Sequence, residues 1–584
     1  MRKHNMNLEA LRHSASHIMA GAVKRLYPGA KLGIGPAIEN GFYYDFDIKE
    51  AISTEDIIRI ENEMRKIAKE DIPFVRETLS KKKAIEFFKK RGETYKIELI
   101  ERIKDEEVSI YTHGKFVDLC KGPHVKSTGE VKHFKLLSLA GAYWHGIETN
   151  PMLRRIYGTA FADEKGLDGF LKREAEAKKR DHRTLGKQLD LFSFNQEMGA
   201  GLVLYHPKGA MLRTVIEDYI KREHIKRGYQ IVISPHILKS DIWVQSGHYD
   251  YYKKNMYIFK IEEKEYAVKP MNCPGHILVY KSKKRSYRDL PFKLFELGSV
   301  YRHEKTGVLH GLLRVRGFTQ DDAHIFCLKE QAEDEIIKVL DFVRETLGVF
   351  GFMEYTVEIS TRPKDSIGTD EEWEEATRAL VNALERKKIP YETNEGDGAF
   401  YGPKIDVKLK DALGREWQCA TIQCDFALPE RFKLKYADKD GSEKRPIMLH
   451  RVILGSIERF IGALIEHYGG NFPLWLAPVQ TAVIPITSGQ NSFAEKITLT
   501  LLENGVRAVL DSRDETMQKK IREQEMEKVP YMLIVGKKEE ANGTVSVRRK
   551  NQASLGAMPL EKFLSRIKSE IEKKQGGHYE KVQN

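Results

Sequence analysis

Residues 291–327 read PFKLFELGSVYRHEKTGVLHGLLRVRGFTQDDAHIFC. The ten residues after Pro291, rich in Phe, Leu, Val and Tyr, predict a buried strand. Arg302 and Glu304 follow two residues apart, so an extended chain sends both side chains from one face. A connection bearing Gly, His and Lys leads to a second extended run with Arg314, Arg316 and Phe318. Together they predict a long hairpin with arginines, a carboxylate and an aromatic ring on one face. Such a face can pair guanidinium groups with phosphates and stack its ring on a base. A solvated charged hairpin would use the same residues, so the rest of the chain has to decide.

The length, 584 residues, is enough for about three to five domains. A 41% hydrophobic content without a long apolar run predicts a soluble globular protein and excludes a helical membrane span. The start, MRKHNMNLEALRHSASH, is basic but lacks the apolar core of a secretory signal. Five dispersed cysteines argue against a disulfide framework and suit a reducing cytoplasmic setting. Lys and Arg total 97 against 85 Asp and Glu, a net +12 that fits a polyanionic partner without requiring one.

Residues 1–164 read as one domain. Positions 8–26 have a helical pattern with His13 and His17 on one face. GIGPAIENGFYYDFD (33–47) is a glycine-rich turn into an aromatic strand; it lacks the Gly-Lys-Ser/Thr ending of a phosphate loop. Further on comes DLCKGPH, with Asp118, Cys120 and His124. HxxxH with CxxxH supplies four potential zinc ligands, and a metal-free polar cleft fits the spacing equally. Residues 165–190 read as a polar helical linker, with seven Lys/Arg against three Asp/Glu between positions 172 and 187.

A larger domain spans 191–471. It opens with a strand, a long amphipathic helix and a second strand ending at Pro235. KPMNCPGH (269–276) is a Pro-Gly-punctuated loop holding Cys273. Residues 396–425 suggest antiparallel strands, and a Gly-Ser break at 455–456 precedes a helix beginning with Glu458-Arg459. From 472 to 584, TAVIPI, RAVLD and YMLIVG alternate with helices as a compact α/β domain.

The helix–strand ending at Pro235, the RxE at Arg302–Glu304 and the GxxER at Gly455–Arg459 stand in an order that resembles class II aminoacyl-tRNA synthetases. MNCPGH and RGFTQDDAHIFC narrow the likeness to the threonyl-tRNA synthetase family, over nearly the whole chain, from residue 11 to about residue 568. The resemblance implies an α/β and α+β multidomain protein. It would have a class II antiparallel-sheet catalytic core, an N-terminal α+β editing domain and a C-terminal α/β anticodon-binding domain. It also implies a cytoplasmic homodimer, in a form without the N-terminal ubiquitin-like domain of many bacterial members.

For the site residues, the resemblance implies zinc, one per chain, on Cys273, His324 and His450, with a coordination position open to substrate. Asp322, Tyr401, Gln423 and Met271 would surround threonine. Arg302 would hold the α-phosphate of ATP and Arg314 the γ-phosphate, with Mg²⁺ accompanying the nucleotide. Phe318 and Arg459 would sandwich adenine, with Glu304 and Gln418 nearby. His13, His17, Tyr44, Asp118, Cys120 and His124 resemble the family's editing cleft, which clears seryl-tRNA(Thr) with a positioned water. Alanyl relatives bind zinc there; the threonyl form works without metal. Arg513, Glu539 and Arg548 would meet the anticodon of tRNA(Thr). Relatives often have asparagine where this chain has Asp514, which can accept from a base but not donate to one.

Two other readings fit the sequence less well. Another class II synthetase, prolyl or seryl, does not account for MNCPGH, TQDDAH and the HSASH domain together. A catalytically idle RNA-binding relative has no need to retain Arg302, Arg459 and all three zinc ligands.

Overall fold

The computed structural model describes residues 2–147, 149–552 and 554–574, with side chains from residue 8 onward. The chain forms two compact units that divide after Ala175, within the helix Glu164–Arg180. The sequence-based boundary at 164 falls at the start of that helix. The linker is two helices, Glu164–Arg180 and His182–Gln188, separated at Asp181.

In the first unit the helix Arg2–Leu26 buries Ala15, Ile18, Met19, Ala22 and Val23, the i, i+3, i+4, i+7 stripe of an amphipathic helix. It packs on an antiparallel sheet ordered Lys31–Leu32, Gly41–Asp47, Met152–Phe161, His133–Tyr143. The helix Thr54–Lys69 packs beside it and starts at Ser53, whose hydroxyl and Asp56 form a capping box. A smaller sheet, Val75–Ser80, Glu107–His113 and Phe116–Leu119, delivers Asp118 and then Cys120.

The second unit is built on an eight-stranded sheet. Its order is Gln230–Ile231, Phe292–Tyr301, Gly317–Cys327, Ile447–Val452, Glu416–Asp425, Lys404–Lys410, Tyr355–Ser360, Glu392–Asn394. The outermost pair at each end is parallel and the six strands between are antiparallel. Register decides what meets: His324 lies opposite Leu294 on one side and His450 on the other, and His450 lies opposite Gln423. Because side chains alternate, Gln320, Asp322 and His324 share one face. On the other side, Ile325, Ile405, Val407 and Ile422 join a core with Leu212, Ile336, Val343, Leu380 and Leu464 from four helices. Truncating one of these, such as the fully buried Leu380, to alanine would cost about 2–5 kcal/mol.

Three local expectations change. Arg314 and Arg316 are not on the second strand, which begins at Gly317. They lie in a loop pinned by a His310–Arg314 bridge and by the Arg316 N–H to Gly201 O at 2.8 Å. The chain is also not extended between Arg302 and Glu304: the Glu304 N–H returns to Arg302 O at 2.9 Å, a tight turn. Cys273 does not sit in a loop but opens the helix Cys273–Lys281, where Pro274 is tolerated because first-turn N–H groups have no helical partner.

The last part of the chain forms a five-stranded sheet ordered Ala508–Leu510, Thr481–Pro485, Tyr531–Val535, Thr544–Arg549, Ser554–Pro559. Val483, Leu533, Ile497, Leu501, Phe563 and Ile567 make its core. Among the described residues no helix is long and apolar enough to cross a membrane.

Candidate functional site

The large sheet's open face floors a cavity of about 430 Å³. Eleven of the thirteen residues expected here line it; Glu304 and Arg314 do not, and pair with each other at 3.0 Å. Its Cys/His end is built by strand register. His324 Nε2 faces His450 Nδ1 at 2.9 Å, and the ligand atoms of Cys273, His324 and His450 all lie within 4.8 Å of one another.

Each ring is held from behind. His450 Nε2 meets Asp425 Oδ2 at 2.7 Å. His324 Nδ1 meets His276 Nδ1 at 2.9 Å, and His276 Nε2 meets Glu296 Oε2 at 3.2 Å. Lys269 Nζ at 3.1 Å and Ser234 complete the Glu296 end, and this setting holds the Glu296 carboxyl down to about 2 despite burial. Burial drives His324 well below the usual imidazole range and raises the Cys273 thiol well above its ordinary value, with Asp322 and Asp425 adding to the latter. A buried thiol and two imidazoles, each ring backed by a fixed partner, form a donor set that fits a tetrahedral transition-metal ion such as zinc. His248 Nε2 lies 3.9 Å from Cys273 Sγ.

Tyr401 donates to Gln423 Oε1 at 2.6 Å, and Asn272 donates to Asp322 Oδ2 at 3.0 Å. Toward the mouth, the Arg302 guanidinium lies 5.1 Å from the Phe318 ring centroid. Burial, then the charge of Arg302, pull Arg459 below the usual guanidinium range. Two arginines that destabilise each other beside an aromatic ring suit a polyanionic aromatic ligand. Gln418 is turned to Asp406 Oδ1 at 2.8 Å. The motif turn is fixed by buried Asp321, which accepts the N–H groups of Ile453, Leu454 and Gly455.

In the first unit His13, His17, Cys120 and His124 also bring their ligand atoms within 4.8 Å. Cys120 Sγ lies 3.3 Å from His13 Nε2 and 3.1 Å from His124 Nε2. Burial pushes the thiol up to about 12 and His124 down to about 3, so the cluster is neutral near pH 7. Asp118 receives Tyr44 OH and the Lys96 ammonium, the latter at 2.6 Å, and lies 3.7 Å from His17 Nε2. Lys96, His276, Glu296 and Asp425 are absent from the sequence-based set. His276 and Glu296 sit inside the quoted stretches 269–276 and 291–327, and Asp425 ends the run 396–425; nothing in the sequence singles out Lys96.

In the C-terminal sheet domain the residues expected at the anticodon are held by local partners. Arg513 and Arg548 pair with Glu523 and Glu525 of the helix Met517–Met526, while Glu539 accepts the Gly536 N–H at the start of its own helix.

The tRNA synthetase class II core domain (G, H, P, S and T) profile matches residues 257–468. The anticodon binding domain matches 480–570, and the threonyl and alanyl tRNA synthetase second additional domain matches 108–157. With the antiparallel sheet and its arginine-lined cavity, these define a class II aminoacyl-tRNA synthetase core. A threonine–tRNA ligase from Oleidesulfovibrio alaskensis is 58% identical over 573 residues, covering 98% of this chain and 89% of that one. One from Citrifermentans bemidjiense is 58% identical over 97% of this chain and 88% of its own. The chain belongs to the threonine–tRNA ligase family. Among solved structures, the RNA binding domain of threonyl-tRNA synthetase from Cryptosporidium parvum Iowa II is 43% identical with TM-score 0.65, over 67% of this chain and 98% of its own. A prolyl-tRNA synthetase from the same genus and species, 17% identical at TM-score 0.52 over 68% of this chain and 75% of its own, shares the fold alone.

Proposed function

We propose that this chain activates L-threonine with ATP, transfers it to the 3′ end of tRNA(Thr), and hydrolyses seryl-tRNA(Thr) at a second site. The observation that carries the first part is the register pairing of His324 with His450 beside Cys273, at one end of a cavity whose other end holds Arg302, Phe318 and Arg459. Cys273, His324 and His450 would hold zinc. When bound, the ion supplies a Lewis-acidic position selective for an amino group with an adjacent hydroxyl, which valine lacks. Asp322 accepts the hydroxyl's hydrogen bond, and Tyr401, Gln423 and Met271 enclose the side chain.

Arg302 neutralises the α-phosphate as the threonine carboxylate attacks in line and pyrophosphate departs. Arg314 holds the γ-phosphate, Phe318 and Arg459 take the adenine between them, and Mg²⁺ accompanies the phosphates. Glu304 orients Arg314, and Gln418 stands beside the nucleotide. Positioning and charge neutralisation carry this chemistry, and no covalent enzyme intermediate is required.

Serine has both groups that threonine offers and lacks one methyl, worth about 1–3 kcal/mol. That is too little for accurate translation, so a hydrolytic site is needed. His13, His17, Cys120 and His124, with Tyr44 and Asp118, position a water on the seryl ester. The proposed domains are an editing domain at 1–164, a linker at 165–190, a catalytic domain at 191–471 and an anticodon-binding domain at 472–584. Arg513, Glu539 and Arg548 are the proposed anticodon contacts. A cytoplasmic homodimer is proposed through the edge around Pro235, where Ile231, Ile233 and Ile237 are 48%, 90% and 50% exposed.

The test is amino-acid-dependent ATP–pyrophosphate exchange with metal content measured on the same sample. Strong exchange with threonine, less with serine and none with valine, at one zinc per chain, is expected. Bound zinc without exchange for any amino acid would leave an idle RNA-binding relative.

A further inference from the structure

The loop 306–316, which carries Arg314, is held from behind by a histidine outside the cavity. His182 opens the helix His182–Gln188 and is fully buried. Its Nδ1 meets Glu466 Oε1 at 2.6 Å, and the Leu312 N–H donates to its Nε2 at 3.0 Å. Since Leu312 can only donate there, Nε2 is unprotonated and Nδ1 carries the proton to Glu466. The ligand atoms of Asp181, His182 and Glu466 lie within 4.8 Å of one another, but both ring nitrogens are engaged. The cluster is a clamp and offers a metal no imidazole lone pair.

The clamp is anchored on the helix that carries Arg459. Glu466 lies on Ile457–Tyr468, and its second oxygen pairs with Arg415 at 2.5 Å. That helix therefore reaches the loop twice: through Glu466 and His182 to the Leu312 N–H, and through Arg459 Nε to Leu313 O at 3.1 Å. The loop closes tightly on the ring. Gly311 has φ +48°, and a Cβ there would lie 2.1 Å from His182 Nε2. Leu312 itself is fully buried.

We infer that His182 is a positioning residue for ATP: by tying Glu466 to the backbone of the 306–316 loop it sets where Arg314 and Arg459 stand, without touching substrate. This rests on the reading of those arginines as ATP ligands.

Two variants separate the ring's two bonds. His182→Asn retains a donor near Nδ1 and loses the acceptor at Nε2; His182→Gln can place an amide oxygen near Nε2. In threonine-dependent exchange, His182→Asn is expected to raise KM for ATP about tenfold, with KM for threonine within about twofold. The Leu312 and Leu313 amides should exchange with solvent faster, and His182→Gln should recover part of both effects. Gly311→Ala should also raise KM for ATP, and adding His182→Ala to it should make matters no worse, because the clash is relieved. An unchanged KM for ATP with unchanged amide exchange in His182→Asn would overturn the inference. So would equal losses for ATP and threonine together with a lower melting temperature, the signature of general destabilisation. A wild-type chain without threonine-dependent exchange would remove the proposed function instead, and the amide exchange would still decide whether the clamp exists.

Discussion

The chain builds two Cys/His clusters from nearly the same side chains, and they differ in what stands behind the rings. Around Cys273, His324 and His450, the far nitrogens are taken by Asp425 and by His276, itself backed by Glu296. Around His13, His17, Cys120 and His124, the corresponding partner is a hydroxyl, Ser14 Oγ, at 3.0 Å from His124 Nδ1. His17 Nδ1 has no hydrogen-bond partner among the described residues. The nearby carboxylate, Asp118, lies 3.7 Å from His17 Nε2 and is shared with Lys96 and Tyr44. Carboxylate backing raises imidazole basicity and fixes the tautomer a metal needs. Both clusters offer ligand-type residues at ligand spacing, and they differ in the groups behind the rings.

The largest expected effect breaks the first cluster. Cys273→Ala should remove stoichiometric zinc and lower threonine-dependent exchange by more than about a hundredfold, beyond what outer partners cost. Full activity without zinc would end the metal account. Next, His13→Ala should leave threonine charging intact while slowing clearance of seryl-tRNA(Thr) by about a hundredfold, the scale of a lost acid–base group. Unchanged clearance would take His13 out of that site. Asp425→Asn sharpens the contrast with a smaller change: zinc affinity, measured by chelator competition, should fall about 10–100-fold with all three ligands still in place.

Much of this was legible because it is local. The strand Phe292–Tyr301 follows from its run of apolar residues, and the strand–turn–helix at 447–468 from its Gly-Ser break. Arg314 and Arg316 read as strand because the alternation in LLRVR imitates a half-buried strand, yet the strand begins at Gly317. A backbone bond from Gly201, over a hundred residues away, sets that geometry instead. The Pro-Gly pair after Cys273 looks like loop punctuation, yet proline is equally at home in a helix's first turn. The pairings of the supporting shell are not legible in the sequence. Lys96 meets Asp118 across 22 positions and His182 meets Glu466 across 284, and no periodicity links such pairs.

The smallest prediction tests whether the N-terminal cluster is held neutral by burial alone. His124 is depressed from 6.5 to about 3, chiefly by desolvation and then by the neighbouring His13 and His113. Below pH 6.5 the unfolded chain therefore binds a proton that the folded chain refuses. The stability contribution is present above pH 6.5 and is lost as pH falls toward about 3. Between pH 6.5 and 5 the loss is on the order of 1–2 kcal/mol, so thermal unfolding of the first unit should move to lower temperature over that interval. His124→Gln, which cannot titrate, should flatten the slope. Added zinc should leave the wild-type slope unchanged, because a metal-free cleft gains nothing from the ion. If zinc instead raised the melting temperature at pH 7 and steepened its fall on acidification, protons would be competing with a bound ion. The N-terminal cluster would then be a metal site with Asp118 as its nearest carboxylate, 3.7 Å from His17 Nε2.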